Sequence, residues 1–398
     1  MLAGGGARGA YEAGALSYLY DHVYPELPQG FEFSIASGTS VGAIHAAYTL
    51  ASAHMDSDLR ARQLEDTWTG MAVRDVLDLG WTDLVGVPLR MLGLRGARAV
   101  SEGRPVIGGL VDVSPLERIV EERIPWQHLA RNLAQGGGRA LSVSCTEVRA
   151  GRVTVFMDGP LADATPWEHD PNAKALHQEI TARHVRASAA IPFLFPAVRI
   201  GDHYYVDGGL RMNTPLSPVL RLRCDRVLVV SLRRAREPEE TDRPYAEAVV
   251  TQPAFMLGKV LDALTMDQLE YELQRIDLVN AMIDQGERSF GPEYLERMNP
   301  AVREQRGAGY RKVSSLVLRP SEDLGRLAAQ CYARKGNARS MGVIASLLTR
   351  LAKQGVPDDE ADLLSYLYFD GCYTAQLVEL GREDARRRHD ELVGLLAG

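Results

Sequence analysis

Across 398 residues the chain is 45% hydrophobic and carries 45 basic against 52 acidic side chains, a formal net charge of −7. That balance excludes a general nucleic-acid binder, which needs a basic footprint, and the length allows one large core or two ordinary ones. Four cysteines, Cys145, Cys224, Cys331 and Cys372, stand far apart with no C-x-x-C pair, which argues against a zinc site or a disulfide framework and for a reducing compartment. No charged start leads into an apolar core and no run approaches the ~20 apolar residues of a membrane span. The expectation is a soluble, cytoplasmic protein that meets any membrane peripherally, with non-classical secretion left open.

In chain order, only Met1, Leu2 and Ala3 precede a glycine loop, Gly4, Gly5, Gly6, Ala7, Arg8, Gly9. A parallel strand normally feeds such a loop, so this one reads as cut short, and the favoured expectation is a reading frame that begins further upstream. The loop presents backbone N–H groups to an anion and opens into a helical pattern over 10–20, with Leu16, Leu19, Tyr20 and Val23 at helical spacing. Gly4, Gly6 and Gly9 also satisfy the G-x-G-x-x-G of dinucleotide-binding folds, with Glu32 as a candidate for the ribose-binding acid. That reading, an oxidoreductase, leaves the next two motifs without a role.

The apolar stretch 33–36 runs into Gly38, Thr39, Ser40, Val41, Gly42, a G-x-S-x-G followed by the small-residue run 41–50. Strand, sharp turn and helix in that order make a nucleophile elbow, in which Ser40 is lifted from the backbone at a helix N-terminus. Between 70 and 104 the pattern loosens around Trp81, Leu84, Val85, Val87, Leu89, Met91 and Leu92. That stretch is either a flap over the site or, the favoured reading, a helical excursion packed on the sheet. Segment 140–145 is strand-like, and 198–206 alternates about Gly201 and Asp202 as a hairpin would. It ends at Asp207, Gly208, Gly209, a carboxylate at a strand end.

A Ser–Asp–His order would need a histidine after Asp207, and only His389 follows, within the strongly charged helical stretch 381–392. Helical spacing turns His45 away from Ser40, and His203 stands two strand steps from Asp207 on the same face; both are read as structural. A two-residue Ser40–Asp207 machine fits better. With an ordinary pKa of about 4, Asp207 is a weak base at pH 7, so most of the barrier reduction would fall to oxyanion donors.

The ordered set G-G-G-x-R-G, G-x-S-x-G and D-G-G resembles the patatin-like phospholipases. Two further blocks carry the resemblance, Ala187, Ser188, Ala189, Ala190, Ile191, Pro192, Phe193, Leu194, Phe195, Pro196 and, after the aspartate, Asn213, Thr214, Pro215. It covers residues 1–221. The resemblance implies an α/β fold, a three-layer α/β/α sandwich with a mostly parallel central sheet, and a lipid acyl hydrolase of the phospholipase A or lysophospholipase type that works through an acyl-enzyme. It implies Ser40 as nucleophile, Asp207 as its base, and an oxyanion hole from N–H groups around Gly5 and Gly6 with that of Val41. Arg8 either holds the glycine loop or meets negative charge. No cofactor and no metal are implied, and the partners are a phospholipid or other lipid ester and a transient membrane surface, with the need for a protein activator left open. An esterase for neutral lipids or short-chain esters, and a lipid-binding protein without turnover, are the alternatives.

Beyond residue 221 the chain reads as a mainly helical extension, 222–398. The segment 226–232 is strand-like, Arg233 to Pro244 is a charged connector, and 245–285 is helical, with a stripe of Leu257, Val260, Leu261 and Leu264, then Leu269, Leu273, Ile276 and Val279. The run 311–319 offers a strand to the main sheet. Two or three amphipathic helices close the chain, with Leu363, Leu364, Tyr366, Leu367, Phe369, Leu377, Leu380 and Leu392 read as core rather than lipid contact. Arg233, Arg234 and Arg236, and Arg386, Arg387 and Arg388, are candidate headgroup patches for which a solvated face is the favoured reading.

Overall fold

The computed structural model describes residues 1–71, 100–101, 104–105, 114–135, 139–162, 173–192, 195–234, 269–334 and 362–397. The loose stretch from Trp81 to Leu92, the residues Phe193, Leu194 and Arg236, and the stripe from Leu257 to Leu264 lie outside them. The described elements run α1 (Gly9–Tyr18), β1 (Ile35–Thr39), α2 (Val41–Ala51), α3 (Ser57–Thr69), α4 (Ser114–Arg123), α5 (Leu129–Ala134), β2 (Ala140–Glu147), β3 (Val153–Asp158), β4 (Ala173–His177) and α6 (Ala182–Ser188). They continue with β5 (Val198–Ile200), β6 (His203–Asp207), α7 (Leu216–Arg221), β7 (Arg226–Val230), α8 (Leu269–Phe290), α9 (Tyr294–Arg306), β8 (Ser314–Leu318), α10 (Leu324–Arg334), α11 (Asp362–Leu367), α12 (Gly371–Arg387) and α13 (His389–Ala397).

The fold is α/β, with helices around a curled, mostly parallel central sheet. Strand β1 pairs parallel with β2, β7 parallel with β8, and β3 parallel with β4, while β2 pairs antiparallel with β3 and β6. Every residue of β2 is buried, as expected of a strand covered on both faces. Its hydroxyls are satisfied inside the sheet: Ser142 Oγ donates to Ser37 Oγ at 2.6 Å, and Thr146 Oγ1 to the Asp207 carbonyl at 2.9 Å. The two halves of the sheet are joined by the first three residues. Leu2 bridges Gly38 on one side and Val230 on the other, with Leu2 N–H donating to Ser37 O and Val230 N–H to Met1 O.

Strands β1 and β6 share one edge of β2 end to end: Thr39 faces Ser144, and Asp207 faces the next residue, Cys145. Since β1 runs parallel and β6 antiparallel to β2, their C-terminal ends meet head to head. The residue leaving β1 and the last residue of β6 are therefore brought together by backbone pairing alone.

The helical spacing in 10–20 predicts a helix with one apolar face, yet all ten residues of α1 are buried, Glu12 and Ser17 included. The reason lies late in the chain, where α12 covers the outer side of α1. The crossing is close because glycines stand at the contact: a Cβ on Gly14 would lie 1.9 Å from Val378 O, and one on Gly381 would lie 2.1 Å from Tyr11 O. Of the closing segment, Leu364, Leu377, Leu380 and Leu392 on helices and Phe369 in the link between α11 and α12 are buried in the main core. Replacing Gly381 by alanine should push α12 off α1 and cost roughly 1–3 kcal/mol, read as a lower midpoint in urea unfolding; an unchanged midpoint would refute the crossing.

Candidate active site

Ser40 occupies a backbone conformation that only the elbow explains, φ 55° and ψ −124°, a left-handed region that side-chain-bearing residues rarely enter and that costs energy to hold. The flanking glycines make the turn possible. A Cβ on Gly38 would sit 2.0 Å from Gly42 O, and one on Gly42 would sit 2.3 Å from Leu2 O. The strained residue is held by a hydroxyl whose role the sequence did not reveal: Ser188 Oγ accepts from Ser40 N–H at 2.9 Å and donates to the Ser144 carbonyl at 2.6 Å. Ser188 thus ties the elbow to the buried strand behind it. Its replacement by alanine would leave the buried Ser40 N–H without an acceptor, so a stability loss of about 1–3 kcal/mol should accompany a drop in turnover, both measured on the same preparation.

Asp207 is buried and its backbone is fixed on two sides, by its own N–H to Ala190 O at 2.9 Å and by Thr146 at its carbonyl. Its Oδ1 accepts from Gly209 N–H at 2.7 Å, and the neighbouring Ser40 side chain also favours its ionised form. Burial outweighs both and lifts the carboxyl from an ordinary 3.8 to about 6. The D-G-G glycines allow tight packing, since a Cβ on Gly208 would meet Ser144 O at 2.2 Å.

The glycine loop closes the site from the other side. Gly4 lies against Ser40, its N–H donating to Asn213 O at 3.1 Å, which gives the stretch after Asp207 a structural task. Gly9 packs against Val41 and Trp68. Among the described residues nothing accepts from the N–H groups of Gly5, Gly6 or Val41. Gly6, Ser40 and Val41 line one apolar cavity of about 60 Å³, whose walls include Ile44, Trp68, Ile119, Phe195, Leu367 and Phe369. Two of those walls, Leu367 and Phe369, come from beyond residue 221, so the extension helps build the site.

Arg8 is buried inside this assembly. Its Nε donates to Ser365 Oγ at 2.7 Å and its guanidinium lies 4.0 Å from the centre of the Tyr366 ring. Of the two roles open to Arg8, the geometry favours holding the glycine loop against α11.

The histidines fall elsewhere. His45 Nδ1 is 2.8 Å from Glu12 Oε2, and its Nε2 accepts from Trp68 Nε1 at 2.9 Å. With Nε2 an acceptor, Nδ1 carries the proton and donates to Glu12. Glu12 also accepts from Ala3 N–H at 2.7 Å, so this buried chain binds α1, α2, α3 and the first residues together. His203 meets Glu147 at 2.9 Å, and His389 meets Tyr18 and Glu26 at 3.2 and 3.0 Å. Glu32, the acid a dinucleotide site would require, is engaged by Arg60 Nη1 at 2.6 Å beneath Tyr20 and Tyr24. Arg386 and Arg387 pair with Glu383, and Arg388 with Glu391, a face of ion pairs rather than a bare cationic patch.

The site is thus a buried serine at a strand–turn–helix elbow beside a buried carboxylate, on an α/β sheet. Residues 1–220 match the family model of the patatin-like phospholipases, and the chain belongs to that family. That membership assigns it to the lipid acyl hydrolases in general. Among curated proteins none matches the chain.

Proposed function

We propose that the protein hydrolyses ester-linked acyl chains of phospholipids or lysophospholipids through a Ser40–Asp207 dyad. Ser40 Oγ attacks the ester carbonyl while Asp207 takes its proton. A carboxyl lifted to about 6 by burial is a better base near neutral pH than an ordinary aspartate. The tetrahedral oxyanion would be met by the N–H groups of Gly5, Gly6 and Val41, donors with no acceptor among the described residues. Collapse expels the alcohol or lysolipid, which receives the proton from Asp207, and leaves an acyl-enzyme. Water activated by the same carboxylate then releases the fatty acid.

The observation that carries this reading is the head-to-head meeting of β1 and β6, which brings a strained, buried serine that lines an apolar cavity toward a buried carboxylate. The walls of that cavity suit a hydrocarbon chain. No described helix is long and apolar enough to cross a membrane, and the proposal has the protein reach lipid aggregates peripherally. The test is hydrolysis of mixed-chain phosphatidylcholine and phosphatidylglycerol vesicles, with chelator present and products identified by mass spectrometry. Free fatty acid from the wild type and none from Ser40→Ala is the expected result; equal release from both would overturn the dyad.

A further inference from the structure

The wide sequence spacing of the four cysteines gives no hint of a pair, but the fold makes one. Cys331 on α10 and Cys372 in the first turn of α12, 41 positions apart, bring their sulfurs to 2.8 Å. A disulfide forms at about 2.05 Å, so the two need approach by less than ~1 Å. Cys331 is buried and Cys372 half-buried, which gives the pair an order of reaction: an outside reagent reaches Cys372 first, and Cys331 stands behind it. The other two, Cys145 and Cys224, have no cysteine neighbour among the described residues.

We propose that Cys331 and Cys372 form a reversible dithiol–disulfide site that fastens the wall of the Ser40 cavity. Cys372, as the thiolate, attacks one sulfur of a low-molecular-weight disulfide such as oxidised glutathione, forming a mixed disulfide and expelling one thiolate. Cys331, on losing its proton, attacks the Cys372 sulfur and expels the second. The protein loses two hydrogens and two electrons, and the reagent is reduced to two thiols. The site controls the cavity because of where Cys372 lies. Its N–H donates to Asp370 Oδ1 at 2.9 Å, and Phe369 and Leu367, just before that cap, line the cavity. A covalent link from α10 to this turn would add to the hydrogen bond from Tyr373 Oη to Leu324 O that already joins the two helices, and would hold Leu367 and Phe369 more firmly in place.

The experiment treats the reduced full-length protein with oxidised glutathione, blocks remaining thiols with an alkylating agent, and maps the peptides. The expected product joins the peptides of Cys331 and Cys372 and lowers the thiol count of the denatured chain from four to two. In Cys331→Ser the same treatment should stop at glutathione held on Cys372, because the resolving sulfur is gone. Hydrogen exchange over residues 367–373 should slow on oxidation of the wild type and stay unchanged in Cys331→Ser. A wild type that retains glutathione on Cys372 with Cys331 still alkylatable, or that shows no reaction at either sulfur, would overturn the proposal. None of these readouts depends on turnover, so they stand apart from the dyad.

Discussion

Ser40→Ala is expected to reduce lipid-ester hydrolysis roughly 10⁴-fold or more, which is ~5.5 kcal/mol of transition-state stabilisation, with the fold kept. The variant keeps the Cβ and the backbone N–H, so the bond to Ser188 Oγ survives, and alanine tolerates φ 55° no worse than serine does. Only the oxygen that would bond to the acyl carbon is lost. Steady-state kinetics on one lipid ester, paired with a thermal midpoint, separate the two effects. Residual activity near wild type would remove Ser40 from the chemistry, while a collapse of the midpoint would show instead that the hydroxyl is structural.

Asp207→Asn should give an opposed pair of results: turnover lost by roughly 10³- to 10⁴-fold, and stability gained at neutral pH. The sign follows from the proton. The carboxyl titrates at about 6 when folded against an ordinary 3.8, so the folded chain holds its proton where the unfolded chain has released it. Stability from this group is fully present below about 3.8 and is lost as the pH rises through about 6. By pH 7 the ionised carboxylate costs about 3 kcal/mol. Asparagine has nearly the same shape, can still accept from Gly209 N–H, and carries no charge. The variant should therefore melt above the wild type at pH 7.5, with the gap narrowing toward pH 4. In the wild type, kcat/KM should fall about tenfold per pH unit below 6 as the base is protonated. A flat profile from pH 5 to 8 would refute Asp207 as the base.

The parts of the site legible in the sequence are those whose backbone demands small residues in a fixed order. Gly38 and Gly42 mark the elbow because no side chain fits there, and the alternating run into Asp207 marks a strand end. The hairpin turn at Gly201 and Asp202 was legible for the same reason, local geometry written in local residues. What stayed hidden depends on contacts between distant elements. Ser188 is one small residue among several in its block, and only the meeting of α6 with β2 gives it the Ser40 N–H. Arg8 could not be assigned, because its partners Ser365 and Tyr366 lie more than 350 positions away. The complete burial of α1 depends on Gly14 finding α12, and the Cys331–Cys372 contact has no spacing signature at all. Residues 1–221 carry the motifs that hold Ser40 and Asp207, but Leu367 and Phe369 from the extension line the cavity beside Ser40.

The measurement that bears most directly on the central claim is covalent labelling with a serine-directed fluorophosphonate, read by intact mass and peptide mapping. One adduct on Ser40, absent in Ser40→Ala and slowed as the pH falls below 6, is the result the dyad predicts. An adduct on another serine, or labelling that persists unchanged in Ser40→Ala, would contradict it.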